Sequence, residues 1–194
     1  MRQAIRLPAS AILSEQLQYL QGNSANNKKI AIILWQEQKG YCAYTDEYMS
    51  RTDAQDVEHF NPTLKYTAQD GYENWLIVKH QWNKEKSAKW ATYQPCLHPS
   101  AQDFEQRILY KDGEYLAVEN DIAAENLVKL LQLDDEGLSD KRKCFIRRKK
   151  KELADYLGTP EEYFQVQLKD DKYHLDYPRA IREEFGVDIL ALIN

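Results

Sequence analysis

The sequence predicts an α+β protein that is mainly helical, and three observations predict it. Long stretches carry apolar residues at helical spacing between capping residues. Between residues 41 and 60 the texture changes to short aromatic and β-branched segments separated by polar residues. Asp112-Gly113, a strong turn dipeptide, divides the stretch RILYKDGEYLAVE. These describe a short β-hairpin and helix embedded among helices, with a second small hairpin.

Residues 10–21, SAILSEQLQYLQ, read as an amphipathic helix ending at Gly22; NSANN reads as a loop, and KKIAIILWQEQKG as a second helix closed by Gly40. YCAYTDE and QDVEHF are predicted to pair as a hairpin with a long turn. Residues 61–72 hold Pro62, Asp70 and Gly71 and are predicted to be a loop. From Asn74 the chain turns apolar in NWLIV, and NKEKSAKW then has helical propensity. After the Asp112-Gly113 hairpin, residues 121–133 form a helix with Ile122, Leu127, Leu130 and Leu131 as its apolar residues. Ser139 is read as the N-cap of a long helix through Leu157, stopped by Gly158. Thr159-Pro160-Glu161-Glu162 starts another, with a cap, a first-turn proline and acids at the positive dipole end. The tail, PRAIREEFGVDILALIN, is helical and apolar enough to dock. This divides the chain into an N-terminal helical segment (1–40), a strand-and-helix core (41–92) and a helical C-terminal region with the small hairpin (93–194), all in one compact unit.

Composition narrows the function classes. With 43% hydrophobic and 29% charged residues among 194, the chain can bury a real core. A mean hydropathy of −0.72 argues against a membrane span, and no run approaches the ~18 apolar residues one needs. Glu15 and Gln16 interrupt the N-terminal apolar stretch, so no signal peptide is expected. Cys42, Cys96 and Cys144 are widely spaced and odd in number, which favours a reducing cytoplasm over a disulfide framework. The net charge of −5 counts against a general nucleic-acid binder. Yet KRKCFIRRKKK, from Lys141 to Lys151, concentrates basic residues including Arg147 and Arg148. That run reads as the solvated face of an amphipathic helix, as a DNA-backbone contact or as a surface for an acidic partner.

The chemistry-bearing residues lie between 57 and 90. Hydrolysing a phosphodiester requires a base for water, charge stabilisation on the phosphate and neutralisation of the leaving oxygen. Histidine suits the first and a divalent metal the other two. Glu58 and His59 are adjacent on a predicted strand, so their side chains leave on opposite faces. One can hold metal while the other reaches toward water. Asn83 opens a helical stretch where its amide oxygen is placed to be a second ligand. Asn74, at a loop–helix junction, can bridge backbone groups and fix the loop bearing His59. Lys84, Lys86 and Lys89 are then expected to face a phosphate backbone. Of the other histidines, His80 reads as a surface residue with a third-ligand or phosphate contact as the alternative, His98 as a turn residue, and His174 as structural or surface.

The order acid–His, loop, Asn, then Asn-x-x-Lys on a helix resembles the HNH (ββα-metal) endonucleases, matched by Glu58-His59, Asn74, and Asn83 with Lys86. With asparagine in the last position, it is similar to the HNH domain of RNA-guided CRISPR nucleases. The resemblance implies that Glu58 and Asn83 bind a divalent metal, Mg²⁺ or Mn²⁺, that His59 is the general base and that Asn74 is structural. It extends over roughly 40–150, where HPSAQDFEQRILYKDGEY and NLVKLLQLDDEGLSDKR are similar to HNH proteins encoded beside an AAA/ABC-type ATPase in bacterial anti-phage systems such as Septu and certain retrons. That implies a cytoplasmic, DNA-cleaving defence effector with an ATPase partner. The alternatives are a catalytically weak module that binds the ATPase or nucleic acid, and an RNA-cleaving enzyme. Many relatives hold this core with a zinc ribbon of two C-x-x-C pairs. Here Cys42-Ala43-Tyr44-Thr45 keeps one cysteine and His80-Gln81-Trp82-Asn83 none, so no structural zinc is expected. Packing of Tyr41, Tyr44, Trp75 and Trp82 is expected in its place. Glutamate rather than aspartate at 58 lengthens the metal arm.

Overall fold

In the computed structural model, which describes residues 1–22, 24–171 and 175–193, the chain is α+β and mainly helical with two small antiparallel hairpins. His174 lies outside the described residues.

The N-terminal stretch is less helical than its apolar pattern predicts. Helix α1 spans only Ala11–Ser14, with the Ser10 hydroxyl accepting from the Ile12 N–H. Gln16 turns left-handed at φ 51° and the Leu17 N–H returns to the Ile12 carbonyl, which ends the helix well before Gly22. Helix α2, Ser24–Glu37, starts inside the segment read as a loop and buries Ile30 and Leu34. It closes at Gly40 as expected. There φ is +84°, and a Cβ would meet Tyr48 at 2.7 Å and the Trp35 indole at 3.0 Å, so only glycine fits.

The pairing of 41–47 with 55–60 does not form. YCAYTDE folds into a tight turn instead: the Cys42 N–H donates to the Glu47 carbonyl, the Asp46 N–H to the Cys42 carbonyl, and Tyr41 bridges Tyr48. Strand β1, Gln55–His59, pairs with β2, Trp75–Lys79, from Gln55↔Lys79 to His59↔Trp75. Trp75, Leu76, Ile77 and Val78 are all buried, and that continuous apolar run outcompetes 41–47 for the place beside β1. The other edge of β2 is closed by side chain and turn. The Gln38 amide donates to the Ile77 carbonyl at 2.8 Å and accepts from its N–H at 2.9 Å, while the Ala43 N–H reaches the same carbonyl. Helix α3, His80–Ser87, follows β2 directly, so the site region runs strand, loop, strand, helix. Of the aromatic residues expected to pack here, Tyr44 and Trp75 are buried in the core around β1 and β2, and Trp82 packs against it. Tyr41 joins the other core cluster.

The second hairpin forms where predicted. After the short helix α4, Phe104–Arg107, β3 (Ile108–Lys111) pairs with β4 (Glu114–Ala117). Asp112 and Gly113 both take positive φ, the two-residue turn whose twist matches the strands. Helix α5, Ile122–Leu131, is capped by Asp121 on the Ala124 N–H and buries Leu127, Leu130 and Leu131, whereas Ile122 stays exposed. Helix α6 spans Glu136–Ala154, and its cap is Asp135, not Ser139, because the Asp135 carboxylate accepts from the Leu138 N–H while Ser139 is buried in the first turn. It stops short of Leu157, which is fully exposed. Helix α7, Pro160–Asp171, opens with the expected reciprocal cap between Thr159 and Glu162. The tail docks as α8, Pro178–Phe185, and α9, Ile189–Leu192, burying Ala180, Ile181 and Ile189 in a cluster with Phe145, Tyr163 and Phe164. Among the described residues, no helix is long and apolar enough to cross a membrane.

Candidate functional site

The end of β1 presents its side chains to two different environments. Asp56 and Glu58, two residues apart, face α3, and His59 faces the loop between the strands. The Glu58 carboxylate is buried and bonded: its Oε1 lies 2.6 Å from the Lys86 Nζ and accepts from the Tyr44 hydroxyl at 3.1 Å. Burial pushes the Glu58 carboxyl up and the Lys86 ammonium down, each opposed by the charge of the other. Lys86 also donates to the carbonyls of His59 and Phe60, at 3.2 and 2.7 Å, so it ties α3 to the end of β1. This corrects the expectation that Lys86 faces a phosphate backbone; at 1% exposure it is an interior cation. Lys84 is exposed and Lys89 half-buried on the same helix region.

His59 is 4% exposed. Its Nε2 stands 3.1 Å from the Asp70 carboxylate, a contact without the alignment of a full hydrogen bond. Tyr19 meets the imidazole edge-on at 4.6 Å between ring centres, and Trp75 lies behind at 6.3 Å. Tyr66 stacks on Tyr19, and the Lys65 ammonium sits over both rings, so the N-terminal segment and the loop together cover the histidine. Burial lowers its pKa to about 4, with Asp70 pulling the other way, and the ring is neutral at pH 7 with a lone pair to accept a proton.

Asn74 does what its position suggested, at a loop–strand rather than a loop–helix junction. Its amide oxygen accepts from the Asn61 N–H at 2.7 Å and its nitrogen donates to the Asn61 carbonyl at 3.1 Å, pinning together the two ends of the loop that begins at Phe60. The same nitrogen donates to Asp70 at 3.0 Å. Asp70 further accepts from the Trp75 indole N–H at 2.8 Å and the Tyr66 backbone N–H. The sequence reading missed this hub, because an aspartate beside Gly71 in a polar loop carries no signal beyond turn formation. Tyr19 was missed too, since its segment read as an amphipathic helix.

Asn83 lies in the first turn of α3, but its amide turns to Asp56, not Glu58. The Asn83 Nδ2 is 2.9 Å from the Asp56 Oδ2, and the His80 Nδ1 is 2.8 Å from that same oxygen. The proposed metal pair, Glu58 with Asn83, is thus engaged with two different partners, Lys86 and Asp56. Glu58 does not fit a divalent cation as it stands, because a buried ammonium already occupies the place beside its carboxylate. Among the described residues, no three His, Cys, Asp or Glu side chains form a metal-holding group.

The α6 basic run is largely committed to the protein. Arg142 is buried against the Gly113 and Leu133 carbonyls, Lys143 pairs with Glu114, Lys149 with Glu152 and Lys150 with Glu184. Arg147 and Arg148 are exposed. Arg148 lines a cleft with Glu47, whose carboxylate bonds Lys79 at the end of β2 at 2.9 Å. Cys42 is a buried packing residue whose sulfur accepts from the Lys79 N–H, and His98 packs on Phe60 with its Nδ1 bonded to Ser100. Compared with known proteins, the chain matches no protein-family model and no curated protein.

Proposed function

We propose that the chain is an endonuclease of the HNH type that hydrolyses phosphodiester bonds in DNA with a divalent ion bound. The observation that carries this reading is the strand–loop–strand–helix unit of β1, β2 and α3, which bears Glu58-His59, Asn74 and Asn83 at the end of a strand, the closure of a loop and the first turn of a helix. His59 stands 3.1 Å from the Asp70 carboxylate, whose charge favours the imidazolium that a base forms on taking a proton from water, against the burial that lowers its pKa while the ring is covered. Asn74 locks the loop and, through Asp70, the ring. Covered by Tyr19, the histidine reaches a phosphate only after that segment moves. Arg147, Arg148, Lys84 and Lys89 are the candidate backbone contacts. Service as a defence effector beside an ATPase rests on the resemblance of residues 40–150. The test is plasmid nicking by the full chain with Mg²⁺ or Mn²⁺: His59→Ala is expected to abolish it with circular dichroism unchanged, and full nicking by that variant overturns the assignment. RNA run in parallel identifies the sugar preference.

One observation favours a second reading. The Glu58–Lys86–Tyr44 cluster is what a strand–helix unit kept as a scaffold would carry, since buried ion pairs register elements without serving chemistry. On that reading the chain binds a partner or nucleic acid without cutting, and no metal produces nicking.

A further inference from the structure

Resting on the nuclease reading for its purpose but not for its test, we propose that the cation site of this unit is Asp56, His80 and Asn83, and that Glu58 is not a ligand. Two side chains one helical turn apart on α3, at positions 80 and 83, converge on one carboxylate oxygen of β1. The separations are 2.8 Å from His80 Nδ1 and 2.9 Å from Asn83 Nδ2. Adjacent ligands on an octahedral ion at ~2.1 Å stand about 3 Å apart, so an ion replaces these bonds with little movement of the backbone. The Asn83 amide presents nitrogen to Asp56 here, and rotation of its terminal group presents oxygen instead.

The two carboxylates of β1 differ in the access such an ion needs. Asp56 is 31% exposed and His80 59%, leaving coordination positions for water and a phosphate oxygen. Glu58 and Lys86 are 4% and 1% exposed, closed against each other. The backbone around the open pair is held: the His80 N–H donates to the Ala54 carbonyl at 2.9 Å, and Asp56 pairs with Val78 across the hairpin. The positive end of the α3 dipole opposes a cation, so the site depends on the Asp56 charge.

The donor set names the class of ion. One carboxylate oxygen, one amide oxygen and one imidazole nitrogen suit a divalent transition ion of the Mn²⁺ type better than Mg²⁺, which prefers oxygen alone.

Titration of the full chain with Mn²⁺, followed by calorimetry and by loss of the free-ion electron paramagnetic resonance signal, tests the assignment. One ion is expected to bind. Asp56→Asn and His80→Ala are each expected to weaken it by about tenfold or more, and Mg²⁺ to bind more weakly than Mn²⁺. Glu58→Gln, which keeps the bond to Tyr44, is expected to leave Mn²⁺ binding unchanged. His80 is exposed, so its variant keeps the test valid should Asp56→Asn alter folding. Loss of binding in Glu58→Gln with retention in Asp56→Asn overturns the site and restores Glu58, and absence of Mn²⁺ binding overturns it too, leaving the trio a side-chain brace between β1 and α3. Bound Mn²⁺ without nicking by any preparation overturns the nuclease reading alone. Nicking unaffected by Asp56→Asn overturns the cation site alone.

Discussion

The two hairpins are closed by opposite means. β3 and β4 are joined by Asp112-Gly113, and the backbone geometry of those two residues is the whole connection. β1 and β2 are joined across residues 60–74, where one backbone bond, from the Phe60 N–H to the Asn74 carbonyl, continues the ladder and no two-residue turn closes it. Side chains hold the rest: Asn74 clasps the Asn61 backbone at both its N–H and carbonyl, and Asp70 gathers Asn74, Trp75, Tyr66 and His59. A turn made from backbone preference leaves little to vary. A long connection held by buried polar side chains fixes the surroundings of His59, and its stability rests on a few hydrogen bonds.

Three measurements put that contrast at risk. The largest effect is expected from Asp70→Ala, which strands the buried donors of Trp75 and Asn74. Urea unfolding is expected to show a loss of about 2–5 kcal/mol, and a loss within error means the loop is held by something else.

Acidification comes second. Burial holds both His59 and His98 near a pKa of about 4 in the fold, below their ordinary 6.5. The unfolded chain therefore takes up protons first as pH falls. The stability from these neutral rings is complete above pH 6.5 and is lost as pH falls toward 4. After allowance for solvent screening, about 2 kcal/mol is expected for His59 across that window. The urea midpoint should fall between pH 6.5 and 4, and His59→Gln should flatten the slope; an unchanged slope contradicts the burial of His59.

The smallest effect belongs to the second hairpin. Gly113→Ala forces a Cβ at φ +83°, 2.6 Å from the Lys143 side chain, which can swing aside. A loss of about 1 kcal/mol is expected in thermal unfolding, most of it backbone strain.

Legibility followed the range of the interactions. The Asp112-Gly113 turn and the Thr159–Glu162 cap were readable because a few neighbouring residues determine them, and the docking of the tail because its own apolar residues demand burial. The early end of α1 was not, because the left-handed turn at Gln16 lies within an amphipathic pattern that continues to Gln21. The partner of β1 was misread for a related reason. YCAYTDE and NWLIV both suit a strand, and only burial of the whole WLIV run decides between them. Within the candidate site, Asn74 and the opposed directions of Glu58 and His59 were readable from position and strand period. The engagement of Glu58 with Lys86, and of Asn83 with Asp56, was not, because each joins β1 to a helix more than twenty residues away in sequence.

Local backbone preference and side-chain type, both legible in the sequence, set the kinds of element, the Asp112-Gly113 turn and the Thr159 cap. The tertiary structure alone decided which carboxylate of β1 stays open and which is neutralised. Asp56 and Glu58 share a strand face and a charge, and their difference comes from what α3 sets beside each of them: an exposed histidine and a half-buried amide for one, a buried ammonium for the other. Burial and partner charge are properties of the packed molecule, and they set the work a carboxylate can do.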